Sequence, residues 1–156
     1  MPHNPLVDSG ENIDSDKDVH FVGALAQNAG EEANISFPAN WVTLNVQKVK
    51  VLNISVLSDQ PLDWELQFYA KDTQADTDAD VDSFITSMFF DTTDSKQIGG
   101  SGLYSYDANP AHLPFVYDDQ DRTSELHLTL VNRNATAKTA GATGEVKVRI
   151  YVEPIV

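Results

Sequence analysis

Near its C-terminus the chain reads Glu145-Val-Lys-Val-Arg-Ile-Tyr-Val-Glu153, in which Val146, Val148, Ile150 and Val152 alternate with Glu145, Lys147, Arg149, Tyr151 and Glu153. Successive side chains of an extended strand point to opposite sides, so a two-residue period gathers the aliphatic groups on one face and leaves the charges on the other. This is the pattern of a strand that packs on one side and meets water on the other. The same reading applies to Trp64, Leu66, Phe68 and Ala70, which alternate with Asp63, Glu65, Gln67 and Tyr69. It applies again to Leu126, Leu128 and Leu130, which alternate with Glu125, His127 and Thr129. All three stretches are expected as half-buried antiparallel strands.

Two further stretches depart from simple alternation. Between Val46 and Leu57, Val49 and Val51 share one face while Leu52, Ile54 and Val56 share the other, which predicts a bulge or burial on both faces. Phe84 to Phe90 is apolar on both sides, which fits a central strand or one covered by another subunit. Shorter candidates are Val19 to Leu25, Ala33 to Phe37, and segments near Tyr104 and Phe115. Turn chemistry separates the runs at Asp59-Gln-Pro61, Gly99-Gly-Ser-Gly102, Asn109-Pro110 and Gly141-Ala-Thr-Gly144. No long helical pattern interrupts them. The expected fold is all-β, an antiparallel β-sandwich of jelly-roll type. Residues 1–17, with two prolines, several acids and little apolar periodicity, are expected as an extended or flexible arm, and residues 18–156 as a single sandwich domain.

A chain of 156 residues can bury one core without covalent staples, and with no cysteine it has no disulfide framework, thiolate metal site or thiol nucleophile. The opening residues carry neither a basic region nor an apolar one of secretory type, and no run is long enough to span a bilayer, so a soluble protein made in the cytoplasm is expected. The glycosylation-type triplets at Asn34, Asn53 and Asn134 then read as chance matches. The formal charge is −14, from 24 acidic and 10 basic residues. Such a surface repels phosphate backbones and anionic lipid, so neither nucleic acid nor membrane is expected as a partner. It favours solubility and complements a basic or metal-rich partner.

The most conspicuous polar feature is the comb Asp72, Asp76, Asp78, Asp80 and Asp82. A curled loop would converge Asp76, Asp78, Asp80 and Asp82 on Ca²⁺, which takes six to eight oxygen ligands. An extended one leaves them as an exposed acidic segment. The EF-hand pattern fails, because Val81 stands where a glycine is required and Ser87 where a glutamate is required. Asp118, Asp119 and Asp121 beside Arg122 read as a turn cap with an ion pair in preference to a metal site. His3, His20, His112 and His127 are scattered without a ligand spacing; His20 and His127 fall in predicted strands and read as structural. Gly99-Gly-Ser101-Gly-Leu103 lacks the last glycine of a hydrolase elbow and the lysine of a phosphate loop. Carboxylates are abundant enough for a glycosidase pair, but abundance does not place two of them together. Trp41, Trp64, Tyr69, Tyr104, Tyr106 and Tyr117 are the candidates for a sugar-stacking face; of these, Trp64 reads as core, and Tyr104 and Tyr106 share one face.

The segments Leu62-Asp-Trp-Glu-Leu-Gln-Phe-Tyr69, Gln97-Ile-Gly-Gly-Ser-Gly-Leu-Tyr104 and Glu125-Leu-His-Leu-Thr-Leu-Val-Asn-Arg-Asn-Ala-Thr-Ala-Lys-Thr-Ala-Gly141 together resemble small structural proteins of tailed bacteriophages. The resemblance covers roughly residues 40 to 154 and includes no catalytic motif. It implies a virion component, such as a β-sandwich head decoration or cement protein that sits on the lattice of the major capsid protein, often as a trimer. A non-enzymatic protein without a resident cofactor is therefore the first expectation. A carbohydrate-binding module, calcium-dependent if the acidic comb binds the ion, is the second, and an enzyme built on a β-sandwich the third.

Overall fold

The computed structural model describes residues 10–15, 24–72, 83–100, 102–139 and 146–155. In chain order the elements are β1 (Glu11–Asp14), β2 (Ala24–Leu25), β3 (Gly30–Ser36), α1 (Ala39–Thr43), β4 (Lys48–Ser58), β5 (Trp64–Tyr69), β6 (Phe84–Phe90), β7 (Lys96–Gln97), β8 (Tyr104–Asp107), β9 (Phe115–Asp118), β10 (Glu125–Asn132), β11 (Lys138–Thr139) and β12 (Val146–Pro154). Single 3-10 turns lie at Thr92–Asp94 and Pro110–His112.

The pairing is nested. β1 pairs with β12, β3 with β10, β4 with both β8 and β9, and β5 with β6, each pair antiparallel. A ribbon of paired strands folded over on itself in this way gives two sheets. One has the order β1-β12-β4-β8-β7, with β9 also on β4, and the other the order β3-β10-β5-β6. β2 and β11 form a separate two-stranded ribbon. The architecture is the all-β jelly-roll sandwich that the alternating sequence predicts.

The inward faces supply the core. Val146, Val148, Ile150 and Val152 of β12 join Val49, Val51, Ile54 and Val56 of β4 on one side. Trp64, Leu66 and Phe68 of β5 and Leu126, Leu128 and Leu130 of β10 complete the same cluster from the other. The phase change in β4 is a bulge. Tyr151 pairs with Asn53 and Val152 with Val51, so Leu52 is the extra residue, and the strand returns to the same buried face on both sides of it. The one-turn helix α1 places Trp41 in the core, edge-on to Phe37.

Two expectations change. Part of the arm drawn over residues 1–17 belongs to the sandwich, because Glu11–Asp14 pairs with Arg149–Val152 and buries Ile13. Asp14 reinforces the pairing with ion pairs to Lys147 at 3.0 Å and Arg149 at 2.9 Å. Phe84–Phe90 is not a central strand but the end strand of its sheet, with Met88 and Phe90 buried and Phe84 and Phe89 exposed. Of the strand expected over Val19 to Leu25, only Ala24–Leu25 lies among the described residues.

Replacing a side chain at the centre of the core leaves a cavity as well as losing buried apolar area. Leu128→Ala is expected to cost about 3 kcal/mol, whereas Val116→Ala, at a position 54% exposed, stays within about 0.5 kcal/mol of the parent. Chemical denaturation of the two variants measures the difference.

Candidate functional site

Strand β10 is buried on both faces. Its inner face is leucine, while its outer face carries His127, Thr129 and Val131, all of low exposure. Register places His127 opposite Asn34 of β3 and Tyr69 of β5. The loop that follows β9, residues 119–124, folds against this outer face. Arg122 and Ser124 adopt left-handed backbone conformations in it.

Asp119 organises the loop. Its Oδ2 accepts from the Thr123 N–H at 2.9 Å, the Thr123 hydroxyl at 3.1 Å and the Glu125 N–H at 3.2 Å. Its Oδ1 accepts from the Asp121 N–H at 3.1 Å and lies 3.1 Å from His127 Nε2. Burial by itself raises this carboxyl; the Glu125 N–H, the His127 ring and the Thr123 hydroxyl outweigh it and hold Asp119 below the usual carboxylate value. Asp121 Oδ2 is 3.8 Å from the same ring nitrogen and accepts the Asp72 N–H at 2.6 Å. The other ring nitrogen, Nδ1, is 2.9 Å from Asn34 Oδ1, and Asn34 Nδ2 donates to Asp72 Oδ2 at 3.1 Å. Beneath the loop, the Tyr117 hydroxyl donates to the Tyr69 carbonyl at 2.8 Å and accepts the His127 N–H at 2.9 Å. Burial raises the Tyr117 phenol far above its ordinary value. Gln47 and Ser124 clasp each other through two bonds, of 2.9 and 3.1 Å.

Asp118, Asp119 and Asp121 thus divide as the sequence suggests, with Asp119 capping the turn and Asp118 within 3.9 Å of Arg122 and 3.8 Å of Lys48. The sequence did not bring out the meeting of Asp119, Asp121 and His127. They are the group of three acidic or histidine residues whose ligand atoms lie within 4.8 Å of one another among the described residues. The calcium candidates Asp76, Asp78, Asp80 and Asp82 lie outside the described residues; of the comb, only Asp72 is described, at the rim of the His127 cluster.

A chain of polar side chains runs along the same outer face, beside Val131 and the exposed Phe84 and Phe89. The Tyr69 hydroxyl donates to Gln67 at 2.7 Å, Gln67 donates to Glu65 at 3.1 Å, and Arg133 binds Glu65 and donates to Asn28 at 2.9 Å. The rings weighed for sugar stacking are taken up in the fold. Trp41, Trp64, Tyr69, Tyr106 and Tyr117 are buried, with the Tyr106 hydroxyl donating to the Leu62 carbonyl at 2.8 Å, and Tyr104 packs half-buried on the core. His112 lines a groove of about 660 Å³ together with Phe89, Asp91, Lys96 and Asp107. The Gly99 loop closes a hairpin through an Ile98 N–H to Leu103 carbonyl bond of 2.8 Å. No described helix is long and apolar enough to cross a membrane.

No protein-family model matches the chain, and no curated protein matches it. Among solved structures, the chain is similar to one from desmodium yellow mottle tymovirus, at 10% identity and a TM-score of 0.29, over 100% of this chain and 95% of that one.

The lowered Asp119 carboxyl has a definite sign in stability. A group depressed in the folded state contributes in full above its ordinary value of 3.8 and loses that contribution as pH falls through the folded value. Asp119→Asn is expected to cost about 2 kcal/mol at neutral pH and to flatten the loss of stability in acid. Melting temperatures of parent and variant, recorded from about pH 7 down to pH 2, should therefore converge in acid; curves that stay parallel would contradict this role.

Proposed function

We propose that this chain is a non-enzymatic structural component of a virion, a decoration or cement protein of a tailed bacteriophage. In this reading it stabilises the head lattice through contacts with the major capsid protein and assembles with copies of itself as a trimer. The supporting observation is the outer edge of the four-stranded sheet. β6, Phe84-Ile-Thr-Ser-Met-Phe-Phe90, ends that sheet and contains no charged residue or proline. Natural edge strands are commonly blunted by such residues, because an open edge offers unpaired N–H and C=O groups to any passing strand. Here the edge also carries Phe84 and Phe89, 45% and 57% exposed. An uncharged apolar edge on a protein of formal charge −14 fits a subunit contact.

The chemistry around His127 supports the non-enzymatic half of the proposal. The groups facing its ring are Asn34, Asp119 and Asp121, none of which is a nucleophile that a histidine would activate. Jelly rolls also serve as lectin domains, but the buried tyrosines and tryptophans do not favour the carbohydrate-binding alternative.

Light scattering coupled to size exclusion is expected to show a trimer for the full chain, and Phe89→Lys is expected to yield folded monomers whose melting temperature, unlike the parent's, does not depend on protein concentration. The parent should sediment with heads assembled from the major capsid protein, and Phe89→Lys should bind them less. A parent that is monomeric and stays in the supernatant would overturn the reading.

A further inference from the structure

We propose that Asp119, Asp121 and His127 form a binding site for a divalent transition-metal ion of the zinc class. The argument begins at Asp72, whose carboxylate Oδ2 accepts from Asn34 Nδ2. That contact fixes the Asn34 amide, since a flipped amide would set its oxygen against the carboxylate. Asn34 Oδ1 therefore faces His127 Nδ1 as an acceptor at 2.9 Å, and the ring must donate there. The Nδ1 proton is thus committed to Asn34, and Nε2 is the ring nitrogen left to the acids.

Nε2 is hydrogen-bonded to Asp119 in the cluster as it stands. It faces Asp119 Oδ1 at 3.1 Å and Asp121 Oδ2 at 3.8 Å, on an imidazole whose side chain is only 2% exposed. Two carboxylate oxygens converging on one buried imidazole nitrogen make a site where a divalent cation can take the place of the bridging proton. The spacing suits one. Ligand atoms about 2.0 to 2.2 Å from a tetrahedral zinc ion lie about 3.3 to 3.6 Å from one another, between the His127–Asp119 and His127–Asp121 separations. A divalent charge also neutralises both aspartates. The Asn34 contact is the second-layer hydrogen bond that metal-bound histidines commonly make through their other ring nitrogen, and it sets the tautomer in the same sense. A donor set with one imidazole and two carboxylates selects zinc-class ions over Ca²⁺ and Mg²⁺, which take oxygen ligands. Asp121, 32% exposed at its side chain, gives the ion a route in from solvent.

The test uses the full chain freed of metal by a chelator and titrated with Zn²⁺ alone, read by calorimetry and by thermal melting. One ion per chain should bind and raise the melting temperature, while Ca²⁺ or Mg²⁺ at the same concentration does neither through this site. Asp121→Asn keeps the Asp119 turn cap and should weaken zinc binding by about tenfold or more. His127→Gln should abolish it, and Asp121→Asn keeps the test meaningful if that variant does not fold. Absence of heat and of a melting shift would mean that a proton alone bridges the cluster. Zinc binding of equal strength in Asp121→Asn would place the ion on other histidines or acids. Either result overturns the proposal.

Discussion

The register of β10 against its two neighbours is the constraint on which the rest depends. With Leu128 paired to Ala33 and Phe68, the leucines at 126, 128 and 130 all face the opposing sheet. A slip of one residue would turn that stripe to the outside and carry His127 and Thr129 into the apolar layer. The inward stripe therefore holds the outward one in place. His127 is brought beside Asn34 and Tyr69 by the burial of leucines on the other side of its own strand.

The nested topology extends this control through the molecule. Each antiparallel pair joins strands progressively farther apart in the chain, from β5 with β6 to β1 with β12. Contacts of such long sequence separation form only when the intervening loops close, so β1, at the edge of its sheet, rests on pairs already in register. β1 shows the result. It has one buried apolar residue, Ile13, and is held mainly by β12 backbone pairing and by the bridges from Asp14 to Lys147 and Arg149.

That difference explains what could be read from the residues alone. β5, β10 and β12 announce themselves because half of each is aliphatic at a period of two, and the bulge in β4 shows as a change of phase around Leu52. β1 reads as part of an extended or flexible arm because Glu11-Asn-Ile-Asp14 has almost no pattern of its own; partnership makes it a strand. Phe84–Phe90 shows its apolar character but not its place at a sheet edge, since position in a sheet belongs to the topology. The polar cluster is the least legible part. His127 meets Asn34 across 93 residues, and nothing around either marks the pairing. Asp119, eight residues from His127, could be read only as a turn cap.

The distribution of charge bears on how such a body would associate. Among the described residues, Lys147 and Arg149 are engaged by Asp14, Arg133 by Glu65, and Lys48 and Arg122 lie near Asp118, so these five basic residues face acids of the same chain. The unmatched charge is predominantly acidic. At physiological ionic strength screening acts over about 8 Å, so two acidic faces repel when they come close enough to touch. The uncharged strand β6 is free of that penalty, and its phenylalanines gain from leaving water. In the proposed assembly the negative charge would thus work as a selector: it makes most orientations of two copies unfavourable and leaves the apolar edge as the face on which close approach is rewarded.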